Sequence, residues 1–233
     1  MNIIITGASR GLGKAIAEKF AANGFDLFLC ARNVELLEEL ATTIRNQYPK
    51  VKVHYKSCDV SLKDEVLAFG AWILNHTTSV DVLINNAGAF ISGNVHDEPD
   101  GTLEQLMNTN VYSAYYLTRA LLPEMIKHKS GHIFNICSIA SLKAYKNGGS
   151  YSITKYALSG FSANLRDELR HDNIKVTSVF PGAVNTDSWS ASGIDPDRIM
   201  KSEDIADMVF ASSRLSPQAC VEEIVIRPQL GDL

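Results

Sequence analysis

Short apolar segments alternate with longer segments in which apolar residues recur at helical spacing, along almost the whole chain. Each apolar segment is five or six residues long, which is typical of buried strands. The predicted strands are residues 2–6, 26–30, 51–55, 80–84, 132–137, 175–180 and 223–227. The predicted helices lie near residues 11–23, 34–47, 62–76, 101–127, 151–171 and 202–214.

This alternation predicts the fold class. Strands that alternate with helices pair in parallel, and each right-handed crossover places its helix on one face of the sheet. We therefore expect an α/β, doubly wound domain with a seven-stranded parallel sheet and helices on both faces. Ligands of such folds bind beyond the carboxyl ends of the strands, so the residues that follow each strand are the candidates for function.

Composition limits the expected partners. The 233 residues are 45% hydrophobic and carry a formal charge of −4, which suits a single domain spanning residues 1–233. No basic stripe is present to bind nucleic acid or an anionic membrane, so a small molecule is the expected partner. The opening MNIIIT lacks the parts of a targeting signal, which predicts a cytoplasmic protein. The four cysteines and six histidines show no ligand spacing, which predicts buried thiols and no metal.

A glycine turn follows the first strand, where TGASRGLG (Thr6 to Gly13) opens a helix. Glycines at these positions let the backbone turn tightly and approach a pyrophosphate, which then faces the positive end of the helix. Three glycines can also form a plain turn, but the context of strand, turn and helix favours a nucleotide. We therefore expect a Rossmann-type domain, although the spacing G-x-x-x-G-x-G differs from the more familiar G-x-G-x-x-G.

The residues after the second strand indicate which dinucleotide binds. NAD-binding domains usually have an acid about 20 residues past the turn to bind the ribose 2′-hydroxyl, but this chain has Cys30, Ala31, Arg32 and Asn33 there. Arg32 and Arg10, which lies in the glycine turn, offer two guanidinium groups that suit a 2′-phosphate. The predicted cofactor is NADP(H). The alternative is that Arg32 is only a surface residue at the start of the next helix.

Six motifs occur in an order that resembles a known family. They are TGASRGLG, NNAG at 85–88, Asn110, Ser138, the pair Tyr151-x-x-x-Lys155, and PGAVNT at 181–186. A tyrosine and a lysine four residues apart often merely share a solvated helix face, so each motif alone is weak. Together they resemble the short-chain dehydrogenase/reductase family, from the first strand to about residue 186.

The resemblance implies four catalytic residues: Asn110, Ser138, Tyr151 and Lys155. Tyr151 would be the general acid, and the ammonium of Lys155 would lower the phenol pKa from about 10. In the family the lysine also binds the nicotinamide ribose, the serine hydrogen-bonds the substrate oxygen, and the asparagine supports a water relay to the lysine. The expected reaction is hydride transfer from NADPH to a carbonyl carbon.

The resemblance also implies cofactor contacts after several strands. Asp59 and Val60 should border the adenine, although Asp59 could instead cap the helix that follows. Val184 and Thr186 should meet the carboxamide of the cofactor. The full predicted set is Gly7, Ser9, Arg10, Gly11, Leu12, Gly13, Ala31, Arg32, Asp59, Val60, Asn86, Ala87, Gly88, Tyr151, Lys155, Pro181, Gly182, Val184 and Thr186.

The substrate is expected to meet Ser138, Tyr151 and the segment after the sixth strand, about residues 183–200. Within that segment Trp189 could stack on a flat ring, or it could only hold the loop down. Stretches such as SGHIFNICS and the ending VEEIVIRPQLGD are similar to bacterial sepiapterin reductases of this family, which implies a pteridine side-chain carbonyl. Broad carbonyl reductases and ketoacyl-thioester reductases share nearly all the catalytic motifs, so their substrates stay open.

The helices near 101–127 and 151–171 carry apolar or aromatic residues on more than one face. Such a helix is either deep in the core or covered by another subunit; the family pairs its equivalent helices between subunits, which implies a homodimer or homotetramer. Two other functions remain open. A nucleotide sensor would need no proton donor, and an epimerase of the extended branch normally has a longer substrate domain.

Overall fold

The computed structural model describes residues 1–186 and 193–233, and within them the strands form a seven-stranded parallel sheet of order β3-β2-β1-β4-β5-β6-β7. The strands are β1 (Asn2–Thr6), β2 (Asp26–Ala31), β3 (Val53–Ser57), β4 (Val82–Asn85), β5 (Gly131–Ile136), β6 (Ile174–Pro181) and β7 (Glu223–Ile226). The helices are α1 (Gly11–Ala22), α2 (Val34–Gln47), α3 (Lys63–His76), α4 (Thr102–Met107), α5 (Ser113–His128), α6 (Gly149–Leu169) and α7 (Ser202–Ser213). The predicted fold class is confirmed.

Both faces of the sheet are covered by helices. Successive side chains of a strand point to opposite faces, so in β1 the side chains of Ile3 and Ile5 join one buried cluster and that of Ile4 joins the other. The first cluster contains residues of α1, α2 and α7, and the second contains residues of α3, α5 and α6. The central strands β1, β2 and β4 are mainly apolar because both of their faces are covered, whereas the edge strands β3 and β7 are partly exposed.

Two strands begin later than the apolar pattern predicts. The third was expected at 51–55 and is Val53–Ser57, and the fourth was expected at 80–84 and is Val82–Asn85. Val51 and Val80 are nevertheless buried. They are apolar because the segments leading into the sheet pack against the core, and burial without ladder pairing gives the same sequence pattern as a strand.

The helix expected near 101–127 is divided. Between α4 and α5 the residues Asn108–Tyr112 form a π-helical turn. Single π turns inside helices are frequent at functional sites because the extra residue redirects the side chains around it. Here the turn contains Asn110, which is buried. The spacing of apolar residues could not reveal the π-helical turn, since the helical segments on both sides of it keep the spacing of an ordinary α-helix.

Three of the cysteines, Cys30, Cys58 and Cys137, are buried, as expected. Cys220 is partly exposed, because it lies in the loop before β7, where its thiol reaches the carbonyl of Val176. Within residues 1–186 and 193–233, no group of His, Cys, Asp and Glu side chains is suited to bind a metal ion. Over the same residues, no helix combines the length and the apolar character needed to cross a membrane.

Candidate active site

The glycine turn between β1 and α1 packs so closely against its neighbours that its glycine positions have no room for side chains. Gly7 and Gly11 have φ values of +65° and +53°, a region that favours glycine. A Cβ on Gly7 would lie 3.0 Å from the Cα of Ala87, and a Cβ on Gly13 would lie 2.3 Å from the carbonyl oxygen of Gly7. Helix α1 begins after Arg10 without a side-chain cap. Uncapped amides at the N-terminus of a helix, beside a turn this close to the sheet, fit a pyrophosphate.

Asn86 fixes the shape of this turn from the end of β4. Its side-chain amide donates to the carbonyl oxygens of Thr6 and Gly7 at 2.9 and 3.1 Å. In return the hydroxyl of Thr6 accepts from the backbone N–H groups of Asn86 and Ala87 at 3.1 and 3.0 Å. The side chain of Asn86 therefore holds two strand ends together.

Charged residues follow β1, β2 and β3 at the same edge of the sheet. Arg10 and Arg32 are exposed there. Asp59 accepts from the backbone N–H and the hydroxyl of Ser61 at 2.9 and 2.7 Å, and the residue that precedes α3 is Leu62. The alternative that Asp59 caps the helix is therefore wrong, because the side chain closes a turn before the helix begins. Partial burial would raise the pKa of Asp59, but the bonds from Ser61 and the charge of Arg32 lower it overall.

Helix α6 carries Tyr151 and Lys155 on the face that meets the end of β5. The ammonium of Lys155 donates to the carbonyl oxygen of Ile136 at 2.8 Å and lies 5.7 Å from the centre of the Tyr151 ring. Burial lowers the pKa of Lys155 to about 8. Beside it, burial raises the pKa of Cys137 to about 11, which keeps that thiol neutral.

Ser138 is oriented by a short 3₁₀ turn that follows it. Its hydroxyl oxygen accepts from the N–H of Ala140 at 3.1 Å, and Ser141 caps the same turn in return. Because a hydroxyl has a single proton to donate, that proton is left for the phenol oxygen of Tyr151, whose pKa the Ser138 hydroxyl lowers.

The pKa of Tyr151 differs from the sequence-based expectation. Desolvation inside the cavity raises the pKa of Tyr151 above 10, and the nearby Ser138 hydroxyl opposes this rise without overcoming it. The expected net lowering of the Tyr151 pKa is therefore wrong for the protein alone. The physical reason is that the partly buried phenol loses hydration while the ammonium is directed at the carbonyl of Ile136, although an ammonium this close still favours the phenolate once it forms.

Asn110 is held by the segment that follows the NNAG motif. Its side-chain oxygen accepts from the N–H of Ala89 at 2.7 Å, and its amide donates to the carbonyl of Ala89 and to the hydroxyl of Thr154, both at 3.0 Å. A Cβ on Gly88 would lie 3.3 Å from the Asn110 oxygen and 3.6 Å from the Lys155 nitrogen. Asn110 and Lys155 thus face the same small space beside Gly88.

A cavity of about 540 Å³ opens at this edge of the sheet. The cavity brings together ten of the predicted residues, which lie on separate segments of the chain. They are Leu12, Asn86, Gly88, Ser138, Tyr151, Lys155, Pro181, Gly182, Val184 and Thr186. The other predicted cofactor residues lie in the glycine turn or after β2, β3 and β4 at the same edge, and Trp189 lies outside the described residues.

Among the cavity residues that sequence reasoning missed are Phe90, Tyr145, Asp232 and Leu233. The ring of Phe90 meets that of Tyr151 edge to face, with centroids 4.9 Å apart. Phe90 follows NNAG by two positions, so its place in the sequence could have drawn attention to it. Nothing in the pattern of apolar residues connects the segment after β7 with the cavity.

The segment after β7, residues 228–233, is fixed by two arginines. The guanidinium of Arg198 donates to the carbonyl oxygens of Leu230 and Gly231 at 3.3 and 3.1 Å, and Arg227 forms an ion pair with Asp232. The second carboxylate oxygen of Asp232 is buried and has no hydrogen-bond partner within the part of the chain that the structure describes. One wall of the cavity therefore contains a carboxylate with an unpaired oxygen.

Comparison with known proteins agrees with this geometry. The family model for short chain dehydrogenase matches residues 1–196. The chain belongs to this family. Sepiapterin reductase of Chlorobaculum tepidum is 32% identical over 239 residues, covering 99% of this chain and 97% of the relative. The protein is therefore an oxidoreductase, and the resemblance drawn from the six motifs is confirmed.

Solved structures of family members superpose over nearly the full chain. A metagenomic short-chain oxidoreductase in complex with NADP is 32% identical, with a TM-score of 0.84 over 98% of this chain and 97% of that one. An alcohol dehydrogenase from Thermococcus sibiricus, complexed with 5-hydroxy-NADP, is 28% identical, with a TM-score of 0.90 over 98% and 96%. The seven-stranded arrangement described above is thus that of the family.

Proposed function

We propose that the protein is an NADPH-dependent reductase that transfers a hydride to a carbonyl of a small molecule, with Tyr151 as the general acid. The observation that carries the proposal is the cluster at the end of β5. There the phenol of Tyr151 shares the cavity with the Ser138 hydroxyl, which lowers its pKa, and lies beside the ammonium of Lys155, and the cavity also meets the glycine turn. A proton donor beside a nucleotide site is what carbonyl reduction requires.

The cofactor is NADP(H). The glycine turn fits a pyrophosphate, as described above, and Arg10 and Arg32 lie at the edge where a 2′-phosphate would bind. The solved relatives in complex with NADP or its derivative confirm the predicted cofactor class. NADPH supplies the hydride.

Residues of the chain then bind and protonate the carbonyl oxygen of the substrate. Ser138 and Tyr151 hydrogen-bond this oxygen, and Tyr151 donates its proton as negative charge develops there. Lys155, held by the carbonyl of Ile136, stabilises the phenolate that remains. Asn110, placed beside Gly88 near the Lys155 nitrogen, supports the return of a proton through water.

The substrate class that we favour is a pteridine with a side-chain carbonyl. Three features support it: the similarity to a relative named sepiapterin reductase, a cavity of about 540 Å³ with the rings of Phe90 and Tyr145 in its wall, and the unpaired carboxylate oxygen of Asp232. Aromatic side chains suit a flat bicyclic ring. The carboxylate suits its amino and ring N–H groups.

The deciding experiment measures NADPH consumption by the purified protein with sepiapterin, a diketone, a quinone and a ketoacyl thioester. We expect the highest kcat/KM with sepiapterin. If activity on the diketone and the quinone is weak and similar to that on sepiapterin, the proposed pteridine substrate is refuted, but the proposed reductase activity stands. NADPH binding without turnover of any substrate would refute the reductase and favour a nucleotide sensor. The cytoplasmic location and the oligomeric state stay predictions.

A further inference from the structure

Helix α6 carries two of the proposed catalytic residues but begins without a cap of its own. The residue before it is Gly148, which has no side chain, and no side-chain cap forms there. Tyr151 is the third residue of the helix. The N–H groups of a first helical turn need acceptors from outside the helix, so whatever binds them also fixes the start of the segment that holds Tyr151.

Glu98 supplies one of these acceptors from a distant part of the chain. One carboxylate oxygen accepts from the N–H of Ser150 at 3.2 Å, and the other accepts from the hydroxyl of the same residue. Ser150 is buried, with 1% of its surface exposed, and it directly precedes Tyr151. A carboxylate at the N-terminus of a helix is also favoured by the helix dipole.

The loop that contains Glu98, residues 90–98, contacts the start of α6 at two further points. The N–H of Gly93 donates to the carbonyl of Asn147 at 3.2 Å, and the ring of Phe90 meets the ring of Tyr151. A Cβ on Gly149 would lie 2.5 Å from the carbonyl oxygen of Gly93 and 2.7 Å from the Glu98 carboxylate. The loop and the helix start are therefore in direct backbone contact.

We propose that Glu98 is a positioning residue for Tyr151: its carboxylate fixes the first turn of α6 through Ser150 and so sets the place of the phenol against Ser138. This inference rests on the proposed reductase. Glu98 does not touch the reacting atoms; it acts through Ser150. Misplacing a catalytic group by about 1 Å can lower turnover by about a hundredfold, so a residue that fixes the helix start affects kcat more than cofactor binding.

The kinetic test compares Glu98→Ala and Glu98→Gln with Asp97→Ala. Asp97 is the matched control because it is an exposed carboxylate of the same loop that accepts from Asn94 rather than from α6. We expect Glu98→Ala to lower kcat by about tenfold or more and to leave KM for NADPH within about twofold. Glu98→Gln keeps an acceptor oxygen and should retain more of kcat than Glu98→Ala, while Asp97→Ala should match the wild type.

A second measurement tests whether the first turn of α6 is held in place, and it does not depend on catalytic activity. Hydrogen exchange of the amide of Ser150 should accelerate in Glu98→Ala and stay unchanged in Asp97→Ala. Unchanged exchange would overturn the proposed tether. Faster exchange with an unchanged kcat would show that Glu98 only caps the helix, which also overturns the positioning role. If the wild type reduces no carbonyl, the proposed function fails, and the exchange arm still decides whether Glu98 fixes this turn.

Discussion

Replacing Lys155 by methionine should stabilise the protein while removing its activity. Lys155 is 5% exposed, and burial lowers the pKa of its ammonium from 10.5 to about 8. At 1.36 kcal/mol per pH unit, this difference means that burial opposes the charged form by about 3 kcal/mol. Methionine has a similar length and no charge to bury.

The net gain is smaller than this figure because Lys155 also donates to the carbonyl oxygen of Ile136. Leaving that carbonyl without a donor costs about 1 kcal/mol. Near neutral pH, where Lys155 is charged in both the folded and the unfolded chain, Lys155→Met should therefore raise the free energy of unfolding by about 2 kcal/mol. Methionine provides no ammonium to stabilise the phenolate of Tyr151, so turnover should be lost.

The advantage of the variant should depend on pH in a defined direction. Between about pH 8 and 10.5 the folded wild type releases the proton of Lys155 while the unfolded chain keeps it. Stability of the wild type therefore rises with pH through this window, relative to Lys155→Met, and the difference between the two proteins shrinks. Urea unfolding of both proteins without cofactor, at pH 7 and pH 9.5, measures the difference. A variant that is less stable at pH 7, or a difference that is constant with pH, would refute the reasoning.

Three further substitutions test the site, each with its own readout. Tyr151→Phe removes the proton donor, so reduction should fall by at least about a hundredfold while the Kd for NADPH, measured by fluorescence titration, changes by less than about twofold; loss of both would indicate a structural residue. Arg32→Ala should raise the Kd for NADPH by about tenfold or more and leave NADH binding unchanged, whereas equal effects on both cofactors would argue against a 2′-phosphate contact. Asp232→Asn should raise KM for a pteridine by about tenfold but not KM for a diketone, since only the pteridine has N–H donors for the carboxylate.

Much of the fold and of the catalytic cluster follows from the sequence because local rules act at the ends of parallel strands. Ligands of such a sheet bind where the strands end, so the glycine turn was recognised by its glycines directly after the first strand, and Ser138 was identified by the resemblance to the family. Both lie at the cavity. The type and order of the strands and helices were predicted correctly because buried strands and helices have distinct apolar patterns. The first residues of β3 and β4 were predicted too early, since Val51 and Val80 are buried before strand pairing begins.

The remaining parts of the site depend on contacts between segments far apart in the chain. Asp232 reaches the cavity because the guanidinium of Arg198 fixes the backbone of the segment after β7. Similarly, Glu98 reaches α6 across a separation of 52 residues. A single charged residue in a loop looks the same in the sequence whether it is solvated or binds a distant helix, so composition and periodicity could not distinguish these two.

These contacts explain how a partly charged site with unpaired polar groups persists. Lys155 is charged and buried, the first turn of α6 has no side-chain cap from its own N-cap residue, and the second oxygen of Asp232 lacks a partner within the described residues. Each of these opposes folding locally, so each must be held by surrounding structure. Lys155 is held by a strand-end carbonyl, the start of α6 by Glu98, and Asp232 by Arg227. It follows that removing a holding residue should affect the site before it affects the fold, because the sheet is stabilised independently by the two apolar clusters on its faces.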